Sequence, residues 1–210
     1  MQGRAEPIRL LLAYTKQEYT NEHPTSREDW VEKREKLGLE VPDLPYLVDG
    51  DFAMSESGAI LQYVAERSGD ASLVGEDVKT RARVQMVGDI FKDIIANSIK
   101  VRSAEDKVKA LEELFAGKTG KQLSRLDKMA ENNQFLTGKL TIVDFVMFIV
   151  RRMFSFFSQV LKQEDPFLQF KNLLAVLQRF EELPGIKEYL ASEESKRPFL
   201  FSLTQAKASK

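Results

Sequence analysis

Apolar positions in the first third of the chain alternate between two spacings. Segments with apolar residues at helical intervals are separated by short runs that suit β-strands, which predicts a small α/β sandwich. The predicted helices cover residues 5–14, 27–37 and 57–67, and the predicted strands lie at 18–23 and on either side of the Asp49-Gly50 turn.

The strand pattern does not return after the third predicted helix. Residues 69–77 are rich in Gly, Ser and Asp, which is typical of a linker. A long amphipathic helix is predicted over 78–101, and a second begins near Ala104 and is interrupted at Gly117 and Gly120. The second part of the chain is therefore predicted to be helical throughout.

One of these helices is expected at the centre of a bundle. Thr141 and Asp144 have the spacing of a capping box, which predicts a helix start at this point. The residues that follow, up to about Phe157, are mostly Val, Ile, Met and Phe. A helix that is apolar on most faces is normally buried, so we expect the other helices to pack around it.

The hairpin and the helix after it carry the most specific pattern. Pro45 cannot donate to a strand ladder, so it belongs at a strand start or in a cis turn. Asp49-Gly50 is a hairpin signal, and Ser55 or Ser57 is predicted to cap the next helix. A helix start presents free backbone N–H groups, so this one suits an anionic ligand.

Four stretches, taken in order, carry a family resemblance. They are GRAEPIRLLL at 3–12, WVEKREKLG at 30–38, LPYLVDG with ESGAILQYVAER within 44–67, and LTIVDF at 140–145. Together they resemble cytosolic glutathione S-transferases of the mu, pi, sigma and alpha kind. The resemblance implies an α+β fold of two domains. A thioredoxin-like N-terminal domain would cover 1–68, a linker 69–77, and an all-α C-terminal helical bundle 78–210.

The resemblance places one end of glutathione at the helix start after the hairpin. Ser57 is expected to hold the γ-glutamyl carboxylate, and Glu56 to touch the same end. Asp93, reaching across from a partner subunit of a homodimer, is expected to pair with the ammonium group. Asp89 is the weaker candidate for that role, and either aspartate would equally suit a solvated helix face.

The rest of the tripeptide is assigned in the same way. Trp30 with Arg34 or Lys36 suits the glycine carboxylate, and Arg34 is favoured because a guanidinium binds a carboxylate with two parallel hydrogen bonds. The extended middle of glutathione is expected to pair with the backbone of Leu44, next to a cis peptide bond at Pro45.

The resemblance is incomplete at its N-terminal end. Relatives begin with a strand that carries a Tyr, or in other classes a Ser, before the residues matched by Gly3-Arg4, whereas this sequence starts at Met1. The thioredoxin-like domain is therefore expected to be truncated at its first strand, through a shortened clone or a misassigned start codon rather than an evolved loss. Arg4 matches an arginine that places positive charge beside the thiolate, and it is the catalytic candidate.

Composition excludes several function classes. The 31 Lys and Arg residues and 32 Asp and Glu residues leave a net charge of -1, which provides no basic field for nucleic acid or an anionic membrane. The absence of Cys excludes disulfides, a cysteine nucleophile and thiolate metal sites, and a single histidine, His23, excludes a multi-His metal site, so no metal is expected. We also expect no membrane segment and a cytoplasmic location.

The resemblance implies a glutathione transferase that uses glutathione as co-substrate and conjugates its thiolate to small hydrophobic electrophiles, as in detoxification. Two alternatives stay open. The chain would be a non-catalytic transferase-like binding or scaffold protein if it lacks the sulfur-activating hydroxyl, and sigma-like isomerase activity on a lipid peroxide is the other possibility.

Overall fold

The computed structural model describes residues 3–197, which form nine α-helices and two β-strands within that range. In chain order the elements are α1 Glu6–Tyr14, α2 Arg27–Arg34, β1 Tyr46–Asp49, β2 Phe52–Ser55, α3 Ser57–Arg67, α4 Val78–Ser103, α5 Lys107–Ala116, α6 Lys118–Ala130, α7 Ile142–Leu161, α8 Lys171–Glu181 and α9 Ile186–Ala191. Short 3-10 turns occur at Gly3–Ala5, Ala71–Leu73, Pro166–Gln169 and Glu194–Lys196.

The sheet in the described range is a single antiparallel hairpin. Tyr46 pairs with Ser55 and Asp49 with Phe52, so the predicted hairpin is present, but its two-residue loop is Gly50-Asp51, one residue after the predicted Asp49-Gly50. The predicted strand at 18–23 is wrong, because those residues form no ladder. A strand needs a hydrogen-bonded neighbour, and the two strands of the described range pair only with each other.

The second helix is shorter than predicted. It ends at Arg34, and residues 35–38 form turns before the buried Leu39. Most residues of this helix are charged, and none of them is buried. Ser26 caps the helix, since its hydroxyl accepts a hydrogen bond from the backbone N–H of Asp29 at 3.0 Å. It is therefore a surface helix, and only a few side chains attach it to the sheet.

Helix α7 forms the centre of the helical part, as its composition predicted. Asp144 is fully buried and accepts hydrogen bonds from the backbone N–H groups of Leu136 and Thr141, at 3.0 and 2.9 Å. The next residue of α7, Phe145, packs its ring edge-on against Phe180, with a centroid distance of 5.0 Å. Helix α1 packs against α3 on one side and against α7 and α9 on the other, so it connects the first part of the chain to the helical part.

Only one of the two glycines expected to interrupt the second long helix does so. Gly117 separates α5 from α6, whereas Gly120 lies inside α6. A Cβ atom on Gly120 would overlap the backbone carbonyl oxygen of Phe115. Glycine is required there because the end of α5 packs directly on the backbone of α6.

A buried polar network joins the two ends of the described chain. The carboxylate of Glu6, with no exposed surface, accepts hydrogen bonds from Arg9 Nη1 at 3.0 Å and from the Tyr189 hydroxyl at 3.1 Å. Burial raises the pKa of Glu6, and the Arg9 guanidinium opposes that shift. Nearby, Glu194 contacts the His23 ring at 3.3 Å, so His23 is a partly buried partner of the C-terminal segment.

No helix of the described residues is long and apolar enough to cross a membrane. A sheet-containing first part followed by helices alone agrees with the predicted α+β arrangement.

Candidate functional site

The start of α3 carries no side-chain cap. Glu56 is the N-cap residue, so the prediction that Ser55 or Ser57 caps this helix is wrong. Ser57 is the first helical residue and is half-buried, whereas the Ser55 hydroxyl donates to the Val41 carbonyl at 2.5 Å. The first N–H groups of α3 therefore face outward without a side-chain acceptor from the described residues, which leaves the positive end of the helix open to an anion.

The backbone of Glu56 is strained. Its φ of 72° and ψ of 105° lie in a region that residues with a side chain rarely adopt. Backbone strain of this kind tends to occur where a ligand is bound, since it turns successive backbone groups toward one point.

The Leu44–Pro45 peptide bond is cis and leads directly into β1. Leu44 is exposed, and its backbone N–H donates to the Asp43 carboxylate at 2.7 Å. A peptide that pairs with Leu44 through this N–H must take the place of the Asp43 oxygen.

Helix α2 is attached to the sheet by one aromatic pair. The Trp30 ring stacks on Tyr46 with a centroid distance of 5.7 Å and an interplanar angle of 19°. The Tyr46 hydroxyl donates to Glu22 at 2.8 Å, and burial together with this carboxylate raises the pKa of Tyr46 to about 12. Trp30 is thus held in place at the start of β1, next to the cis bond.

The two basic candidates for the glycine carboxylate lie on the surface with local partners. Arg34 Nε contacts Glu35 at 3.0 Å, and Lys36 Nζ contacts Glu32 at 2.8 Å. The Arg34 side chain is 38% exposed and that of Lys36 is 70% exposed, so Arg34 is the less solvent-exposed of the two cations. Arg4, the catalytic candidate, is exposed in the 3-10 turn that precedes α1.

Helix α4 contributes three charged residues near this region. Asp93 pairs with Lys118 at the start of α6, at 2.6 Å, and this contact holds the pKa of Asp93 below its usual value. Lys92 pairs with Asp89 at 3.2 Å, and its side chain lies alongside Gly58 in the first turn of α3.

The structure brings some of the expected residues together and leaves others apart. Pro45 lies next to Tyr46, on which Trp30 packs, and Glu56 and Ser57 form the start of α3 at the end of the hairpin. Asp93 is engaged by Lys118 of its own chain. Sequence reasoning missed Lys92 and Lys118, because their neighbours, Gly58 and Asp93, lie on other helices.

Family sequence models match both parts of the chain. The model described as Glutathione S-transferase, N-terminal domain, matches residues 1–66, and that described as Glutathione S-transferase, C-terminal domain, matches residues 88–193. These matches support the thioredoxin-like first domain and the helical second domain.

Individual relatives agree. The chain is 35% identical to Glutathione S-transferase 2 of Gallus gallus over 205 residues, which cover 91% of this chain and 87% of the relative. It is 32% identical to Glutathione S-transferase Mu 5 of Homo sapiens over 213 residues, covering 96% of this chain and 92% of the relative. The crystal structure of the glutathione S-transferase Blo t 8 superposes with a TM-score of 0.79 at 33% identity, covering 92% of this chain and 89% of that one. The chain therefore belongs to the cytosolic glutathione S-transferase family.

Proposed function

We propose that the chain is a glutathione transferase that binds glutathione along the surface from α2, past the cis Leu44–Pro45 bond, to the start of α3. The observation that carries this proposal is the uncapped start of α3, with a strained Glu56 and with Ser57 as the first helical residue. The γ-glutamyl carboxylate accepts from the N–H groups and hydroxyl at this point, and Trp30 and Arg34 bind the glycine end.

The reaction follows from the co-substrate. The glutathione thiol loses its proton to solvent, the thiolate forms a bond to an electrophilic carbon, and a leaving group such as chloride departs with its bonding electrons. Arg4 favours the thiolate because a nearby cation lowers the pKa of a thiol. The electrophiles are small and hydrophobic, and a cytoplasmic location stays a prediction.

Ser57→Ala tests the position of the site. We expect it to weaken binding of S-hexylglutathione by about 1 to 3 kcal/mol, since the carboxylate loses a hydroxyl donor in a partly buried position. Titration calorimetry measures this loss. Ser103→Ala, at an exposed position on α4, is the matched control and leaves the affinity unchanged.

The proposed function fails if the folded wild-type chain binds no S-hexylglutathione. Equal affinities for wild type and Ser57→Ala would mean that the ligand lies elsewhere. Tight binding without any conjugation of chlorodinitrobenzene would support the non-catalytic binding protein instead.

The homodimer is part of the proposal, with Asp93 of one subunit reaching the ammonium group of glutathione in its partner. Asp93 already forms an ion pair with Lys118 of its own subunit, so the ammonium group of glutathione must compete with this lysine. We expect Asp93→Asn to weaken glutathione binding only slightly, as for an exposed ion pair, without changing the sedimentation of the dimer. If Asp89→Asn weakens glutathione binding more than Asp93→Asn does, Asp89 is the residue that pairs with the ammonium group. If the chain binds glutathione as a monomer, neither aspartate reaches the ligand from a partner subunit.

A further inference from the structure

The position of the Trp30 side chain depends on two successive contacts. The Trp30 ring stacks on Tyr46 at a centroid distance of 5.7 Å, and the Tyr46 hydroxyl donates a hydrogen bond to the Glu22 carboxylate at 2.8 Å. Helix α2 has no buried residue, so the packing of the helix itself does little to orient this ring. The orientation of Trp30 is therefore set by a side chain of β1, which is held in turn by a residue that precedes α2.

Glu22 lies in a segment that is anchored through both of its neighbours. The side-chain amide of Asn21 donates to Glu194, and the His23 ring contacts the same carboxylate at 3.3 Å. Glu22, between them, contacts Tyr46 instead. Alternate side chains of an extended chain point to opposite sides, so this short segment holds the C-terminal part of the described chain on one side and β1 on the other. The Glu22 side chain is exposed, but its backbone is kept in place by these two contacts.

The Trp30 indole has an unused hydrogen-bond donor. Its Nε1–H group forms no hydrogen bond with any of residues 3–197, although the side chain is half-buried. An indole N–H in such a position normally has an acceptor. Arg34 follows one helical turn later on α2, so the two side chains are neighbours on the same face of the helix. A carboxylate accepts from both, which fits the glycine end of glutathione.

We propose that Tyr46 is a positioning residue for the glycine end of glutathione, because its ring, held through the hydroxyl by Glu22, directs the Trp30 N–H toward the glycine carboxylate. This inference rests on the proposed function, which places that carboxylate at Trp30 and Arg34. Tyr46 acts through Trp30 rather than by contact with the carboxylate. Burial and the Glu22 carboxylate raise the pKa of Tyr46 to about 12, so its hydroxyl stays protonated and able to donate in the neutral pH range.

Tyr46→Phe keeps the ring and removes the hydroxyl. We expect the affinity for S-hexylglutathione to fall by about threefold to tenfold, the usual range for one lost hydrogen bond. The affinity for S-hexyl-γ-glutamylcysteine, which lacks only the glycine, stays at its wild-type value. Titration calorimetry with the two ligands measures both. Tyr63→Phe is the matched control and changes neither affinity, since the half-buried Tyr63 also donates to a carboxylate, that of Asp49, at 2.8 Å.

Fluorescence provides a second measurement at this position, because Trp30 is the only tryptophan in the chain. We expect Tyr46→Phe to shift the emission to longer wavelength and to increase quenching by acrylamide, since the less firmly held indole is more accessible to water. Glu22→Ala gives the same two changes and the same loss of affinity. Glu22→Gln retains an acceptor oxygen for the Tyr46 hydroxyl, so it keeps the wild-type spectrum and affinity.

A double-mutant cycle tests whether Tyr46 acts through Trp30. Tyr46→Phe is expected to have no further effect on affinity in a chain that carries Trp30→Leu. The positioning role is overturned by an additive loss in the double variant, by an equal loss for the two ligands, or by wild-type affinity and fluorescence of Tyr46→Phe. These three results leave the proposed function intact, whereas a folded wild-type chain that binds no S-hexylglutathione overturns both.

Discussion

Gly120→Ala lowers the free energy of unfolding by about 3 kcal/mol or more, the upper range for inserting an atom into a well-packed region. The new Cβ would overlap the carbonyl oxygen of Phe115, so α5 and α6 must move apart. Phe115 cannot yield easily, because its ring packs edge-on against the buried Phe154 at a centroid distance of 4.8 Å. Urea unfolding followed by circular dichroism measures the loss.

Gly88→Ala is the matched control, since Gly88 also lies inside a helix. A Cβ atom there would meet only Val143 Cγ1, at 4.0 Å, which is an ordinary contact. We expect this variant to be about 0.5 to 1 kcal/mol more stable than the wild type, because alanine is the better helix former. Similar stability of the two variants would contradict the close approach of α5 to α6.

Asp144→Ala has an effect of comparable size in the centre of the bundle. It leaves the backbone N–H groups of Leu136 and Thr141 without their carboxylate acceptor in a fully buried position. At pH 7, where this carboxyl is ionised, each lost hydrogen bond to a charged group costs about 1.5 kcal/mol or more, so we expect a total near 3 kcal/mol at that pH. Asp106→Ala, at the exposed N-cap of α5, is the control and costs about 1 kcal/mol.

The cost of Asp144→Ala also depends on pH. Burial raises the pKa of Asp144 to about 6 in the folded chain. Because the folded state then holds a proton more tightly than the unfolded state, this carboxyl contributes less to stability as the pH rises from about 4 to 6. The stability difference between wild type and Asp144→Ala is therefore expected to be about 2 kcal/mol smaller at pH 7 than at about pH 4.5. A difference that grows toward pH 7 would contradict a raised pKa.

Local sequence patterns predicted the elements that local chemistry determines. The hairpin around Gly50 and the capping box of α7 have turn or cap residues next to regular apolar spacing, and the apolar spacing of α3 predicted that helix although its predicted serine cap was wrong. The strand predicted at 18–23 failed because a strand depends on a neighbour, which no pattern within those six residues can specify. Gly120 was misread as a helix breaker because its cause, the carbonyl of Phe115, acts between two helices.

The candidate site was predictable in part for the same reason. The residues at the start of α3 follow one another along the chain, and the family resemblance brought in Trp30 and Arg34. The charged side chain beside the helix start, Lys92, comes from α4, however, and its position follows from the tertiary fold. Neither the pairing of Asp93 with Lys118 nor the approach of Lys92 to Gly58 has a sequence signature.

The network around Glu6 has a consequence for the synthesis of the chain. Glu6 is made before Tyr189, whose hydroxyl completes its hydrogen bonds and which lies 183 residues further along the chain. A buried carboxylate without its partners is costly, so we expect α1 to reach its final environment only after α9 has been made. The segments that carry α1 and α9 match separate family models, yet the burial of Glu6 depends on both.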